Sequence, residues 1–202
     1  MAVKAKDVSK LREETGVGMM DCKKALEEAG GDFNKAVEIL RKKGAKTAEK
    51  RAEREAKEGY IASYNHNGRI AVLLELNSET DFVARNDDFR KLANEIAMQV
   101  AAMNPKYLSS TDIPAEVLEN EKKIEKEKLE KEGKPKEIIE KVIEGRIQKF
   151  FEEICLLNQP YIKDEKKKVE DLLNEARAKI GEKIEIGRFV RFEIGKETIL
   201  GG

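Results

Sequence analysis

The chain has 202 residues, 40% hydrophobic and 40% charged, with Lys+Arg and Asp+Glu at 40 each and no tryptophan. That length holds one domain of ordinary size or two small ones, and aromatics at only 5% argue against a broad aromatic ligand pocket. A formal charge of zero with interspersed signs argues against a nucleic-acid binder, whose footprint is a net basic face, and leaves room only for a local basic patch. The lysine–glutamate balance is that of surface ion-pair networks suited to high temperature, or of any highly helical charged surface.

Residues 1–44 are predicted to form a three-helix module. Val8 and Leu11 mark one face of a first helix ending at Thr15-Gly16. A second helix runs from about Met19 to Ala29, with Cys22, Ala25, Leu26 and Ala29 at three-and-four spacing. After Gly30-Gly31, Asp32 is a suitable N-cap for a third helix carrying Phe33, Val37 and Leu40, with Gly44 as its expected end. Residues 45–58, alanine interleaved with both charges and lacking an apolar stripe, read as a solvated helical connector.

Residues 59–202 are expected to form a core domain. Tyr60–Tyr64 and Arg69–Leu76 are strands joined by Asn65-His66-Asn67-Gly68, whose Asn-Gly pair signals a tight hairpin turn. A helix follows over about Asp87–Met103, broken at Asn104-Pro105. Pro114 suits the start of a further helix. Gly133-Lys134-Pro135 would turn the chain into a returning helix with apolar positions from Ile138 to Ile154, which makes a helical hairpin of about 113–157. Tyr161–Ile180 is predicted helical, and Gly187–Gly195 reads as a third strand although neither of its faces is fully apolar. The class is α+β: a small antiparallel three-stranded sheet flanked by helices.

Reaction chemistry is hard to place. There is no phosphate loop, dinucleotide fingerprint, His-Glu-x-x-His or C-x-x-C, and His66 is the only histidine. An enzyme is not expected, nor a metal or cofactor. Cys22 and Cys155 have no metal spacing and read as small reduced hydrophobes. The first residues carry no apolar signal core, and the longest apolar run, Ile70–Leu76, is too short to span a bilayer. A soluble cytoplasmic protein is expected.

Between the second strand and the next helix lies Ser78-Glu79-Thr80-Asp81-Phe82-Val83-Ala84-Arg85. Thr80 or Asp81 could cap a turn there, with Phe82 and Val83 stapling it to the sheet. Thr15-Gly16-Val17-Gly18-Met19-Met20-Asp21-Cys22-Lys23-Lys24-Ala25-Leu26, however, resembles the N-terminal signature of the elongation factor Ts family. Thr80-Asp81-Phe82-Val83-Ala84-Arg85 resembles its second signature, and His66–Ile70 and Gly133–Arg146 are further similar stretches in family order.

The resemblance implies an N-terminal module like a ubiquitin-associated fold and an exchange factor that releases GDP from elongation factor Tu. It assigns the contact with the GTPase's nucleotide-binding domain to Arg12, Met19 and Met20. Neighbouring helical residues point about 100° apart, so at least one of the two methionines is expected at the surface; an ordinary core role for either is the alternative. The resemblance makes Thr80, Asp81, Phe82 and Val83 the segment that intrudes at the partner's magnesium site. His66 is a possible contact to another domain of Tu. Long family members carry two related core halves, whereas only one set of signatures is present here. That resembles short forms acting as homodimers, two Ts with two Tu, with Cys155 a conceivable bridge. No membrane and no direct nucleic-acid partner is expected. Rival readings are an adaptor built on the three-helix module and an RNA-binding translation protein.

Overall fold

The computed structural model describes residues 3–50, 53–132 and 135–202. In chain order its elements are α1 (Ala5–Thr15), α2 (Met19–Glu28), α3 (Phe33–Lys50), β1 (Glu58–His66), β2 (Ile70–Ser78), α4 (Asp81–Ala84), α5 (Asp87–Met103), α6 (Ala115–Lys131), α7 (Lys136–Ile154), β3 (Pro160–Tyr161), β4 (Asp164–Lys168), α8 (Val169–Ile180), β5 (Ile184–Glu193) and β6 (Ile199–Gly201). The class is α+β. Two compact units are defined by their internal packing. The first comprises Met1–Ala62, Leu74–Glu95 and Glu170–Gly187; the second comprises Ser63–Leu73, Ile96–Val169 and Arg188–Gly202.

In the first unit, α1, α2 and α3 enclose Val8, Leu11, Cys22, Ala25, Leu26 and Leu40, which the helical spacing selects, together with Val17 and Ala36, which it does not; the expected Ala29, Phe33 and Val37 are only partly buried against this core. Gly16 closes α1 in the left-handed conformation, its N–H donating to the Arg12 carbonyl at 2.7 Å. Asp32 caps α3 as expected, its Oδ1 accepting the Lys35 N–H at 3.1 Å. Gly44 does not end that helix, which continues to Lys50. A Cβ at Gly44 would meet the backbone of Asn174 in α8, so glycine is there to let two helices approach closely. Among its described residues the connector is helical over 45–50. Residues 53–57 lie outside helix and strand, and Arg51 and Ala52 lie outside the described residues.

The main sheet has the order β1-β2-β5-β6. The three expected strands are β1, β2 and β5, and β6 extends the edge antiparallel to β5, pairing Val190 with Leu200. Asn67 and Gly68 both adopt positive φ (53° and 69°), the type I′ geometry of a two-residue hairpin. Asn65 Oδ1 accepts the Gly68 N–H at 2.7 Å and fixes that turn. Inward positions of β5 are Ile184 and Ile186, then Phe189 and Arg191, so the buried parity shifts once along the strand. Arg191 is buried in the second unit, with Nε and Nη2 donating to the Ala101 carbonyl (3.3 and 3.1 Å) and Nη1 paired with Glu193 (2.7 Å). Phe192, its neighbour, is exposed.

Also in the second unit, α6 packs along α7 as the expected hairpin, burying Leu129, Ile139 and Ile147. Pro114 sits at the N-cap of α6. Glu125 is buried within this pair, bonded to Arg146 and to Lys128 (2.6 Å). Of the expected turn Gly133-Lys134-Pro135, the first two residues lie outside the described residues. The helix predicted from Tyr161 begins only at Val169. Before it, β3 and β4 form a small antiparallel pair, Pro160 opposite Lys168 and Tyr161 opposite Asp164. Residues 163–168 offer no apolar side chain to bury, and Asp164 Oδ1 accepts the Lys166 N–H instead (3.3 Å). No helix among the described residues is long and apolar enough to cross a membrane.

Candidate partner-binding site

At the end of β2 the chain leaves the sheet through a segment whose anchors are polar and whose tip is apolar. Ser78 is fully buried and its hydroxyl donates to the Thr80 carbonyl at 3.0 Å. Glu79 accepts the Lys183 N–H at 2.6 Å with one oxygen and Arg54 Nη1 at 2.8 Å with the other. Thr80 has the dihedrals of an N-cap (φ −129°, ψ 151°) but makes no side-chain cap. Its N–H and hydroxyl both go to Glu182, at 3.2 and 2.9 Å. Capping by Thr80, one reading of the sequence, is thus replaced by a bond to a residue far along the chain.

The four-residue helix α4 then carries Asp81 and Phe82 outward, with Val83 half-buried and Ala84 facing in. Phe82 is 87% exposed, so it staples nothing within its own chain. Asp81 pairs with Arg85 at 2.9 Å on the surface. Behind the turn, Arg90 Nε donates to the Ala84 carbonyl at 3.3 Å and its guanidinium lies over the Tyr60 ring, 5.4 Å from the centroid. At the start of α5, Lys179 bonds Asp88 at 2.5 Å and holds its carboxyl below the usual carboxylate range. The segment is a short apolar tip on a firmly held base.

The other expected contact residues lie on other elements. Arg12 is exposed near the end of α1. Met19 and Met20 open α2 and are 44% and 63% exposed; neither is ordinary core, and flexible thioethers suit a partner surface. His66 belongs to the second unit, at the hairpin tip, where its Nδ1 lies 3.1 Å from the Tyr64 hydroxyl and the two rings stack at 6.1 Å. Cys155 is completely buried, and burial pushes its thiol up to about 11; a bridge to a second chain cannot form from that position. Among the described residues no group of three or more histidine, cysteine or acidic side chains could hold a metal ion.

Sequence reasoning missed Glu182 and Arg54, the outer partners of the segment's base. Their only signal was charge, which 39 other acidic positions and 39 other basic ones carry as well. It also missed that Leu73, Phe192 and Leu200 leave an exposed apolar sheet surface.

A family model described as elongation factor TS matches residues 5–196. An elongation factor Ts from Thermodesulfovibrio yellowstonii is 60% identical over 196 residues, covering 97% of this chain and 98% of the relative. One from Thermotoga petrophila is 60% identical over 190 residues, 94% of each chain. A third, from Fervidobacterium nodosum, is 55% identical over 197 residues, 97% of this chain and all of the relative. With a family model spanning nearly the whole chain and relatives of the same length at this identity, the chain belongs to the elongation factor Ts family of translation elongation factors.

Proposed function

We propose that this chain is a guanine nucleotide-exchange factor that releases GDP from elongation factor Tu by disturbing its magnesium and phosphate site. The observation that carries the reading is Phe82, 87% exposed on a base held by four hydrogen bonds, two accepted by Glu79 and two donated by Thr80. An apolar ring held out in water gains by burial in a partner, about 1.5–3 kcal/mol for a side chain of this size. GDP is held largely by backbone amides and magnesium, so displacing the supports of the metal loosens the nucleotide without touching its base. A hundredfold loosening requires about 2.7 kcal/mol of coupling, within reach of the ring and its polar neighbours.

Asp81 supports the displaced arrangement. Its surface tie to Arg85 is worth little by itself and exchanges readily for partner groups. Thr80 and Val83 flank the intruding pair. Arg12, Met19 and Met20 form the second contact, on the nucleotide-binding domain, and His66 a third. The factor forms and breaks no covalent bond and needs no cofactor. It binds one conformation of the GTPase better than the other, and by linkage it weakens GDP as much as GDP weakens it.

The working assembly is two copies with two GTPases, in the cytoplasm, with no membrane and no direct nucleic-acid partner. The exposed apolar side chains Leu73, Phe192 and Leu200 support a homodimer. Release of fluorescent GDP from Tu tests the reading, with Phe82→Ala and Asp81→Ala beside wild type. No acceleration by the wild type defeats the exchange role, and full activity of both variants defeats the site. Light scattering tests the dimer, which a monomer at every concentration contradicts.

A further inference from the structure

We propose that Glu182, in the turn between α8 and β5, is the positioning residue of the exchange segment; the proposal rests on the Phe82 reading above. The two chain stretches clasp each other reciprocally. Glu182 takes the N–H and hydroxyl of Thr80 (3.2 and 2.9 Å), and Glu79 takes the N–H of Lys183 (2.6 Å). Arg54 closes the clasp, donating to Glu79 at 2.8 Å while its own carbonyl accepts Lys183 Nζ at 3.0 Å.

Sheet pairing does not need this clasp, because β2 and β5 are already neighbours in the ladder. What Glu182 adds is a fixed direction for Thr80, the residue from which α4 departs. A helix of four residues is far below the length that holds itself together in water. Its N-cap side chain makes no bond into it, and an exposed Phe82 has no packing to steer it. The orientation of the ring is therefore set from the two ends of the turn: Arg90 and the buried Ala84 hold its far end, and at its start the Ser78 hydroxyl and a carboxylate 102 positions along the chain hold Thr80. Without that carboxylate the segment samples other directions, and only the fraction already aimed correctly can engage the partner.

The test uses the full chain and Tu loaded with fluorescent GDP, comparing Glu182→Ala, Glu182→Gln, Phe82→Ala and the Glu182→Ala/Phe82→Ala double variant. Amide hydrogen exchange of the free variants is read at Ala84 and Arg85, whose N–H groups bond back to Thr80 and Asp81. Glu182→Ala is expected to slow GDP release roughly tenfold, the scale of losing one to two hydrogen bonds to a charged group. Its melting temperature should stay close to wild type, and Ala84 and Arg85 should exchange faster. Glutamine, which keeps an acceptor for the Thr80 N–H and offers a donor to its hydroxyl, should recover most of the activity. The double variant should be no slower than Phe82→Ala, because Glu182 acts through the ring.

Wild-type release by Glu182→Ala, or losses that multiply in the double variant, overturns the proposal. If Phe82→Ala alone releases GDP like wild type, the wedge reading falls. The positioning claim is then decided by hydrogen exchange, and unchanged protection of Ala84 and Arg85 in Glu182→Ala overturns it.

Discussion

Gly44 and Gly145 both lie inside α-helices, α3 and α7, yet alanine should act on them in opposite directions. In an open helix the change gains about 1 kcal/mol, since glycine loses more backbone entropy and exposes more backbone than alanine. Gly145 meets that condition: a Cβ there has nothing within 4 Å. At Gly44 the added carbon would lie 2.7 Å from the Asn174 carbonyl carbon and 3.2 Å from its Cα, with the carbonyl oxygen nearer still. Ordinary carbon–carbon contact is about 3.5–4.0 Å, so α3 and α8 must separate by roughly an ångström. Backbone has no rotamer by which to escape, which puts the cost near the upper end of the about 1–3 kcal/mol typical of overpacking. The propensity gain offsets part of it and leaves a net loss of roughly 2 kcal/mol. For a chain of this size that lowers the melting temperature by roughly 4–8 °C, whereas Gly145→Ala should raise it by roughly 2–4 °C. Calorimetry of the two variants decides the matter. A Gly44→Ala chain that melts at or above the wild type would refute the close approach of α3 and α8.

Three other outcomes are expected. Cys155, with its thiol pushed up to about 11, should react with a thiol reagent at pH 8 only after denaturation and give no cross-linked dimer on a non-reducing gel. Because its folded value is raised, it contributes stability that is complete below the unfolded thiol value and declines as pH rises toward 11, which a Cys155→Ala melting series at pH 8 to 10 would read. Asp88 has the opposite sign: its hydrogen bond to Lys179 depresses the folded value, so the stabilisation is present above the unfolded value near ~3.9 and is lost as pH falls through the folded one. An NMR titration should show Lys179→Ala moving Asp88 back toward the ordinary range. Glu125→Ala leaves Arg146 facing a largely buried vacancy in the helical hairpin and should lower the melting temperature, whereas Glu125→Met with Arg146→Met should recover much of the loss.

Caps and apolar stripes made most of the helices legible in advance. Val8 and Leu11, the Asp32 cap, the Asn67-Gly68 turn and Pro114 each act locally, and local chemistry can be read from neighbours in sequence. Gly44 defeated that approach because its reason lies in Asn174, a residue the sequence does not place nearby. The stretch 161–168 misled for a related reason. Its charges fit a solvated helix face, and only the pairing of Tyr161 with Asp164 shows it to be a strand pair. Arg191 and Phe192 exchange the places that composition alone would give them, since the arginine has carbonyl and carboxylate partners within the fold. At the candidate site the exposed ring and methionines followed from signatures already visible in sequence. The carboxylate that aims the ring did not, because a glutamate holding a distant N–H looks like any other surface acid.

The clasp between Thr80 and Glu182 also bears on how the protein is made. Thr80 leaves the ribosome 102 residues before its partner, and the first unit is assembled from three separate chain segments, the last ending at Gly187. A growing chain can fold α1–α3 early, from contacts close in sequence, but it cannot hold the segment that starts at Thr80 in place until Glu182 has been synthesised. No N-terminal fragment that stops short of β5 should carry the activity, however well its helices fold.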